Sequence, residues 1–230
     1  MCLAATPAVA AARQAPRPRL APTAKLSYVA HPVRPTAVWS RPGGGRRVWQ
    51  TPTQTAWNGG QVSLLVLSSR TVHGRRWLHV RLPIRPNTAT GWINSDFTTL
   101  SRTPWRVVVH TDARWVDVYR AGRVIRAFAA VVGKPTTPTP HGVFAVWEKI
   151  PEPDPRGFLG PWALHLTAHS NVLFNFGGGP GRVAIHGRDG ASLLDPLGTA
   201  DSHGCVRVLN QNVIWLAATL HPGDPVIITN

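Results

Sequence analysis

Acidic side chains are missing from the first 95 residues of this 230-residue chain, which carry thirteen Arg and Lys but no Asp or Glu. Residues 96–230 hold twelve basic and ten acidic residues, so the net charge of +15 sits almost wholly in the front half. That asymmetry directs the front half, not the back half, toward anionic polymers or membrane surfaces. No helix-turn-helix or zinc-finger spacing accompanies the charge, and its residues scatter along apparent strands and turns, which argues against nucleic acid. The excess of Arg over Lys, 22 to 3, with abundant Ala and Pro is also what GC-rich coding produces. That origin would not remove the physical effect. Cysteine is nearly absent too, with only Cys2 and Cys205. The stretch Met1–Ala12 is small, apolar and ends in an A-x-A-like site, yet it lacks a basic start and is too short to span a membrane. It reads as the tail of an export signal, and its removal would take Cys2 and any disulfide with it. No other segment is long and apolar enough to cross a bilayer.

What is present points to packed β-structure. Hydrophobic residues make up 43% of the chain and there are ten tryptophans, which argues against disorder. The length allows one large domain or two small ones. Residues 13–25 form a stiff Pro/Arg linker. From Leu26 to Leu100, short apolar runs alternate with turns at Arg41–Gly45 and Asn58–Gly60, and 62–67, 77–82 and 90–93 read as strands. The phrase Arg76-Trp77-Leu78-His79-Val80-Arg81, followed by Thr90-Gly91-Trp92-Ile93-Asn94, resembles the ending of a bacterial Src-homology-3-like barrel. Alternation is cleaner beyond Trp105, with strands over 105–109, 114–119, 124–131, 142–147, 162–166, 182–185 and 225–229. One helix is predicted over Asn210–Leu220, with Asn210 as its cap and Pro222-Gly223 as its stop. The expected fold is mostly β, with one or two short helices, in three parts: 1–25, a small β-barrel over 26–101, and a second domain over 102–230.

Chemistry gathers around one thiol. Cys205 follows Ser202-His203-Gly204, and His186-Gly187 lies upstream at the end of a predicted strand. Sulfur attack on an amide needs a thiolate, a nearby proton acceptor and donors for the oxyanion. His203 would share the side of Cys205 in an extended segment, but a base on a neighbouring strand faces the sulfur more directly, which favours His186. Gly204 permits a tight turn that presents main-chain N–H groups.

A histidine, fifteen residues and then Ser202-His203-Gly204-Cys205-Val206-Arg207 resembles the signature of the L,D-transpeptidase catalytic domain family. Val132–Thr136 with Thr139–Phe144, and Leu159–Leu164, resemble further family segments, so the resemblance runs over roughly 105–229. It implies a β-sandwich-like cysteine acyltransferase of peptidoglycan biosynthesis, and hence of cell-wall biogenesis and cell shape. Cys205 would be the nucleophile and His186 the proton acceptor and donor, with main-chain N–H groups around His203, Gly204 and Cys205 for the oxyanion. The carbonyl of Gly187 would orient the histidine, more loosely than the serine often found there. Ser202 and Arg207 would meet substrate, Arg207 through a carboxylate or carbonyl of the stem peptide. No cofactor and no metal are implied. The partners would be peptidoglycan stem peptides and, through the basic front half, anionic cell-wall polymer, with the protein exported to the wall or the extracytoplasmic space.

Other readings compete. Water in place of an acceptor amine would make the site an L,D-carboxypeptidase, and loss of turnover would leave a wall-binding protein. A zinc site from His186, His203 and Cys205 lacks an evident fourth ligand. His165 and His169 suit surface or groove roles, Asp195 and Asp201 solvated loops, and Gly177–Gly181 a flexible lid edge. Most of Trp39, Trp49, Trp57, Trp77 and Trp92 suit a barrel core, although any could stack on a sugar.

Overall fold

Strands that bury alternate residues need a second layer, and here two sheets pack through a residue of one strand. A computed structural model describes residues 20–230, so the leader and most of the linker lie outside the described residues. Strands β1 (Ser27–Pro32), β2 (Thr36–Arg41), β3 (Gly44–Thr51), β4 (Leu64–Val72), β5 (Arg75–Arg81), β6 (Thr90–Asn94) and β7 (Thr98–Thr103) form an antiparallel sheet in the order β3-β2-β6-β5-β4-β1-β7. The expected turns at 41–45 and 58–60 are present. Val38, Leu64, Val66, Leu78, Val80 and Ile93 are fully buried in its core.

The chain continues through β8 (Trp105–His110), β9 (Trp115–Arg120), β10 (Arg123–Ala129), β11 (Val132–Gly133), β12 (Gly142–Pro151), β13 (Trp162–His169) and β14 (Arg182–His186). It then forms β15 (Ala200–Ser202), β16 (Val206–Arg207), helix α1 (Asn210–Thr219) and β17 (Pro225–Thr229). Eight of these strands make one mixed sheet, β10-β9-β8-β17-β12-β13-β14-β16, while β11 pairs with β15 in parallel. Val213 and Leu216 of α1 are buried in the core of this sheet. The fold is mostly β, with a single α-helix among the described residues, as the alternation predicts. Asn210 does not cap that helix: Leu209 is the capping residue and makes no side-chain cap bond.

The two sheets meet through a register break. In β12 the pairing with β13 shifts between Val146 and Glu148, and such a bulge re-aims side chains. Trp147, only 6% exposed, consequently packs into the core of the first sheet. Glu148, also buried, accepts the main-chain N–H groups of Trp57 and Asn58 at 3.1 Å each. Arg85 donates to the carbonyls of Ser170, Leu173 and Pro180. Asn87 exchanges two bonds with the His169 backbone, at 2.8 and 2.7 Å. Trp147→Ala is therefore expected to cost about 3–5 kcal/mol by emptying a core that serves both sheets. Its measure is the guanidinium unfolding midpoint, and an unchanged midpoint would place the indole outside that core.

Candidate active site

His186 ends β14, and β16 begins one residue after Cys205. The two strands pair in parallel, with Ile185 opposite Val206 and His186 opposite Arg207. Side chains alternate along a strand, so Ala184, His186, Cys205 and Arg207 share one face. The N–H of Ala184 donates to the sulfur at 3.4 Å, which fixes Sγ on the neighbouring strand.

The turn that presents the thiol is tied internally. The Ser202 hydroxyl donates to the Cys205 carbonyl at 2.6 Å and accepts from the Gly204 N–H at 3.1 Å. Thr139 donates to the Gly204 carbonyl and Thr137 to that of Ser202. Gly204 has φ of 113°, a conformation that side-chain-bearing residues rarely adopt. Two expectations change here. Ser202 is fully buried with its hydroxyl spent on the turn, so it shapes the nucleophile's backbone and does not meet substrate. The Gly204 N–H is occupied, which leaves the main-chain N–H groups of His203 and Cys205 as candidate oxyanion donors.

The imidazole is oriented by main-chain contacts, the shortest of them to Gly187. His186 Nδ1 lies 2.6 Å from the Gly187 carbonyl. A carbonyl only accepts, so Nδ1 carries the proton and Nε2 keeps its lone pair. Orientation is tight with glycine here, not loose. A Cβ on Gly187 would come within 2.4 Å of Asn210 Oδ1 and 3.0 Å of Pro161 Cδ. Asn210 is pinned in turn, because its Oδ1 accepts the Arg188 N–H at 2.8 Å. The residue expected to cap α1 thus braces the loop that holds the base.

Arg207 is 2% exposed, ion-paired with Asp195, and its guanidinium sits 4.7 Å from the Phe158 ring centroid. It is an internal cation beside the site and not a free substrate contact, and Asp195 is its partner, not a solvated carboxylate. Arg188, which the motif did not flag, donates to the carbonyls of Ser192 and Leu193 and braces the same loop. His203 is exposed, its ring 5.6 Å from that of Phe176. His165 lines the catalytic cavity, whereas His169 is buried, so its expected surface role does not hold.

Burial sets the electrostatics. It pushes the His186 imidazole down to about 4, with the positive charge of Arg207 adding to the effect and the Gly187 carbonyl opposing it. Burial likewise pushes the Cys205 thiol above its ordinary 9.0, although the Ala184 N–H and Arg207 pull it partly back. Burial thus favours the neutral form of each group, against the expectation of a standing thiolate, because a dry crevice penalises both members of an ion pair. Above the sulfur opens a cavity of ≈ 460 Å³ lined by Phe158, Leu159, His165, Arg182 and the loop Phe176–Gly181. Among the described residues, no three His, Cys, Asp or Glu converge to hold a metal ion.

Residues 104–228 match the family model described as YkuD, the L,D-transpeptidase catalytic domain. The chain belongs to the L,D-transpeptidase catalytic domain family. Relatives of this L,D-transpeptidase domain include YkuD of Bacillus licheniformis, 31% identical over 126 residues, which cover 55% of this chain and 66% of that protein. L,D-transpeptidase 1 of Mycobacterium tuberculosis is 30% identical over 132 residues, covering 52% and 48% respectively. The chain thus spans between about half and two thirds of the length of these relatives. Among solved structures, an L,D-transpeptidase of Enterococcus faecium carrying a Cys-to-Ser change aligns at 26% identity and a TM-score of 0.40, over 54% of this chain and 49% of that one. Another, from M. tuberculosis H37Rv, aligns at 19% identity and a TM-score of 0.46, over 77% and 76%.

A neutral resting pair has a kinetic signature. With the thiol held above 9.0, the thiolate fraction is small at neutral pH. The rate of Cys205 alkylation by iodoacetamide is accordingly expected to keep climbing past pH 9, without a plateau between about pH 5 and 8. A plateau in that window would demonstrate a standing ion pair.

Proposed function

We propose that this protein is an L,D-transpeptidase that cross-links peptidoglycan stem peptides through a thioester on Cys205. One observation carries the reading: the Cys205 sulfur shares a strand face with His186, whose Nδ1–H is tied to the Gly187 carbonyl so that the lone pair sits on Nε2. Membership of the L,D-transpeptidase family supports it.

In the proposed reaction, Nε2 removes the thiol proton as sulfur attacks the amide carbon, so the thiolate exists only as the bond forms. The oxyanion develops toward the N–H groups of His203 and Cys205. The imidazolium returns its proton to the departing amine of the terminal D-alanine, and the C–N bond breaks to leave the thioester. The amine of a second stem then attacks, its proton passes through His186 to the sulfur, and an amide cross-link is released. Water in the place of that amine gives the carboxypeptidase outcome. A purely wall-binding role makes no use of the oriented imidazole.

The same reading extends to the rest of the chain. Residues 26–101 would serve as a Src-homology-3-like module and 102–230 as the catalytic domain, with the protein acting outside the cytoplasm where its stem peptides lie. The unbalanced basic charge of the front half supports contact with anionic wall polymer.

Incubation with a defined tetrapeptide stem is expected to add the acyl mass to Cys205, and a carbapenem should do the same. Cys205→Ala should abolish both adducts, and His186→Gln should slow acylation by about 10²–10⁴-fold, the usual contribution of a positioned base. Absence of any adduct on the unsubstituted protein would refute the enzymatic reading, and analysis of products with and without an acceptor amine separates transfer from hydrolysis. Retention on purified wall sacculi should fall steeply as salt rises. Retention indifferent to salt would remove the electrostatic account of the front half.

A further inference from the structure

Trp57 belongs to the first sheet's long β3–β4 connection, yet it lines the same cavity as Cys205. Its side of the fold is built to hold it there. Buried Glu148, from the catalytic sheet, binds the N–H groups of Trp57 and Asn58, and Asn58 Nδ2 donates to the Lys149 carbonyl at 3.1 Å. The indole meets His165 edge-on, with ring centroids 4.6 Å apart, and the Arg182 guanidinium lies 5.7 Å from it. With one flank so occupied, 49% of the residue still faces solvent. A tryptophan serving only as core would be covered. This one is anchored by a buried carboxylate and left open over the thiol.

The opposite wall is also held by the first sheet. Arg85 and Asn87 bind the backbone on both sides of the Gly-rich loop that faces Trp57 across the cavity. The indole and that loop both line the cavity into which Cys205 opens. The cavity's lining is mostly apolar, which suits the aliphatic portion of an acyl donor and not its charged ends.

We propose that Trp57 is a substrate-contacting residue contributed by the N-terminal sheet, one that packs against the aliphatic part of the acyl donor while its carbonyl sits at Cys205. The proposal rests on the transpeptidase reading for the identity of the donor. It makes the front half part of the active site as well as a possible tether.

The test uses the full chain and three readouts: acylation of Cys205 by a disaccharide-tetrapeptide stem, alkylation by iodoacetamide, and calorimetric affinity of the same stem for Cys205→Ala protein. Trp57→Ala should lower acylation efficiency by about ten- to a hundredfold, the scale of losing one buried aromatic contact. The same change in the Cys205→Ala background should weaken stem affinity by a similar factor. Alkylation by the small reagent should stay within about twofold, because it does not need the wall. Trp57→Phe should restore most of both losses, and a thermal melt confirms that each variant folds. Equal acylation and equal affinity in Trp57→Ala would overturn the proposal, as would a parallel fall in alkylation, which would assign the effect to the thiol. If the unsubstituted protein forms no acyl adduct, the transpeptidase reading fails and the affinity comparison still decides Trp57.

Discussion

The hydrogen bond from His186 Nδ1 to the Gly187 carbonyl, at 2.6 Å, decides which ring nitrogen faces the thiol, and much of the surrounding structure exists to fix that carbonyl. Pro161 and Val213 press on Gly187, Asn210 holds the next amide, and Arg188 binds carbonyls further along the loop. Pro161 and the α1 residues Asn210 and Val213 lie far from His186 in sequence, so tertiary packing holds the loop whose carbonyl sets the tautomer.

A second consequence concerns charge. Enclosing a thiol and an imidazole disfavours the ionised form of each, and Arg207 affects them oppositely, stabilising a thiolate while opposing an imidazolium. Asp195 takes up much of that cation's field through its ion pair. Burial therefore prevails over the single nearby charge. A thiol kept neutral is less prone to adventitious oxidation or alkylation, since both proceed through the thiolate.

Much of this was legible before any coordinates. The period-two alternation beyond Trp105 placed β8, β9, β12, β13, β14 and β17, because half-buried strands must alternate. The Ser202–Arg207 motif and His186 located the chemistry. What escaped were roles set by contacts distant in sequence. Ser202 and Arg207 look like substrate residues in a motif, but their polar atoms are used internally, and only the fold reveals the Cys205 carbonyl and Asp195 as their partners. Asn210 carries a capping residue's chemistry at a helix start, yet its amide oxygen is drawn away by the Arg188 N–H. β1, β2 and β3 were not delimited because their polar and apolar residues are interleaved with Arg and Gly. The bulge that turns Trp147 into the neighbouring core leaves no local signature, since it depends on pairing with β13.

The acid-free front half also gains a physical explanation of how it tolerates its charge. Two ion pairs, His110–Asp117 and Arg207–Asp195, lie in the second half of the chain. In the first half, guanidinium groups instead meet aromatic faces, Arg34 over Phe97 and Arg70 over Trp92, or donate to carbonyls, as Arg81 does to Asn87. These contacts cover or bind the guanidinium without cancelling its charge. The positive field therefore survives folding, which neutralisation by neighbouring carboxylates would have prevented. Glu148, supplied by the catalytic sheet, reaches into this half's structure and binds main-chain N–H groups beside Trp57, not an arginine of the front half. The same interface thus anchors the cavity's aromatic wall without neutralising the charge of the first sheet.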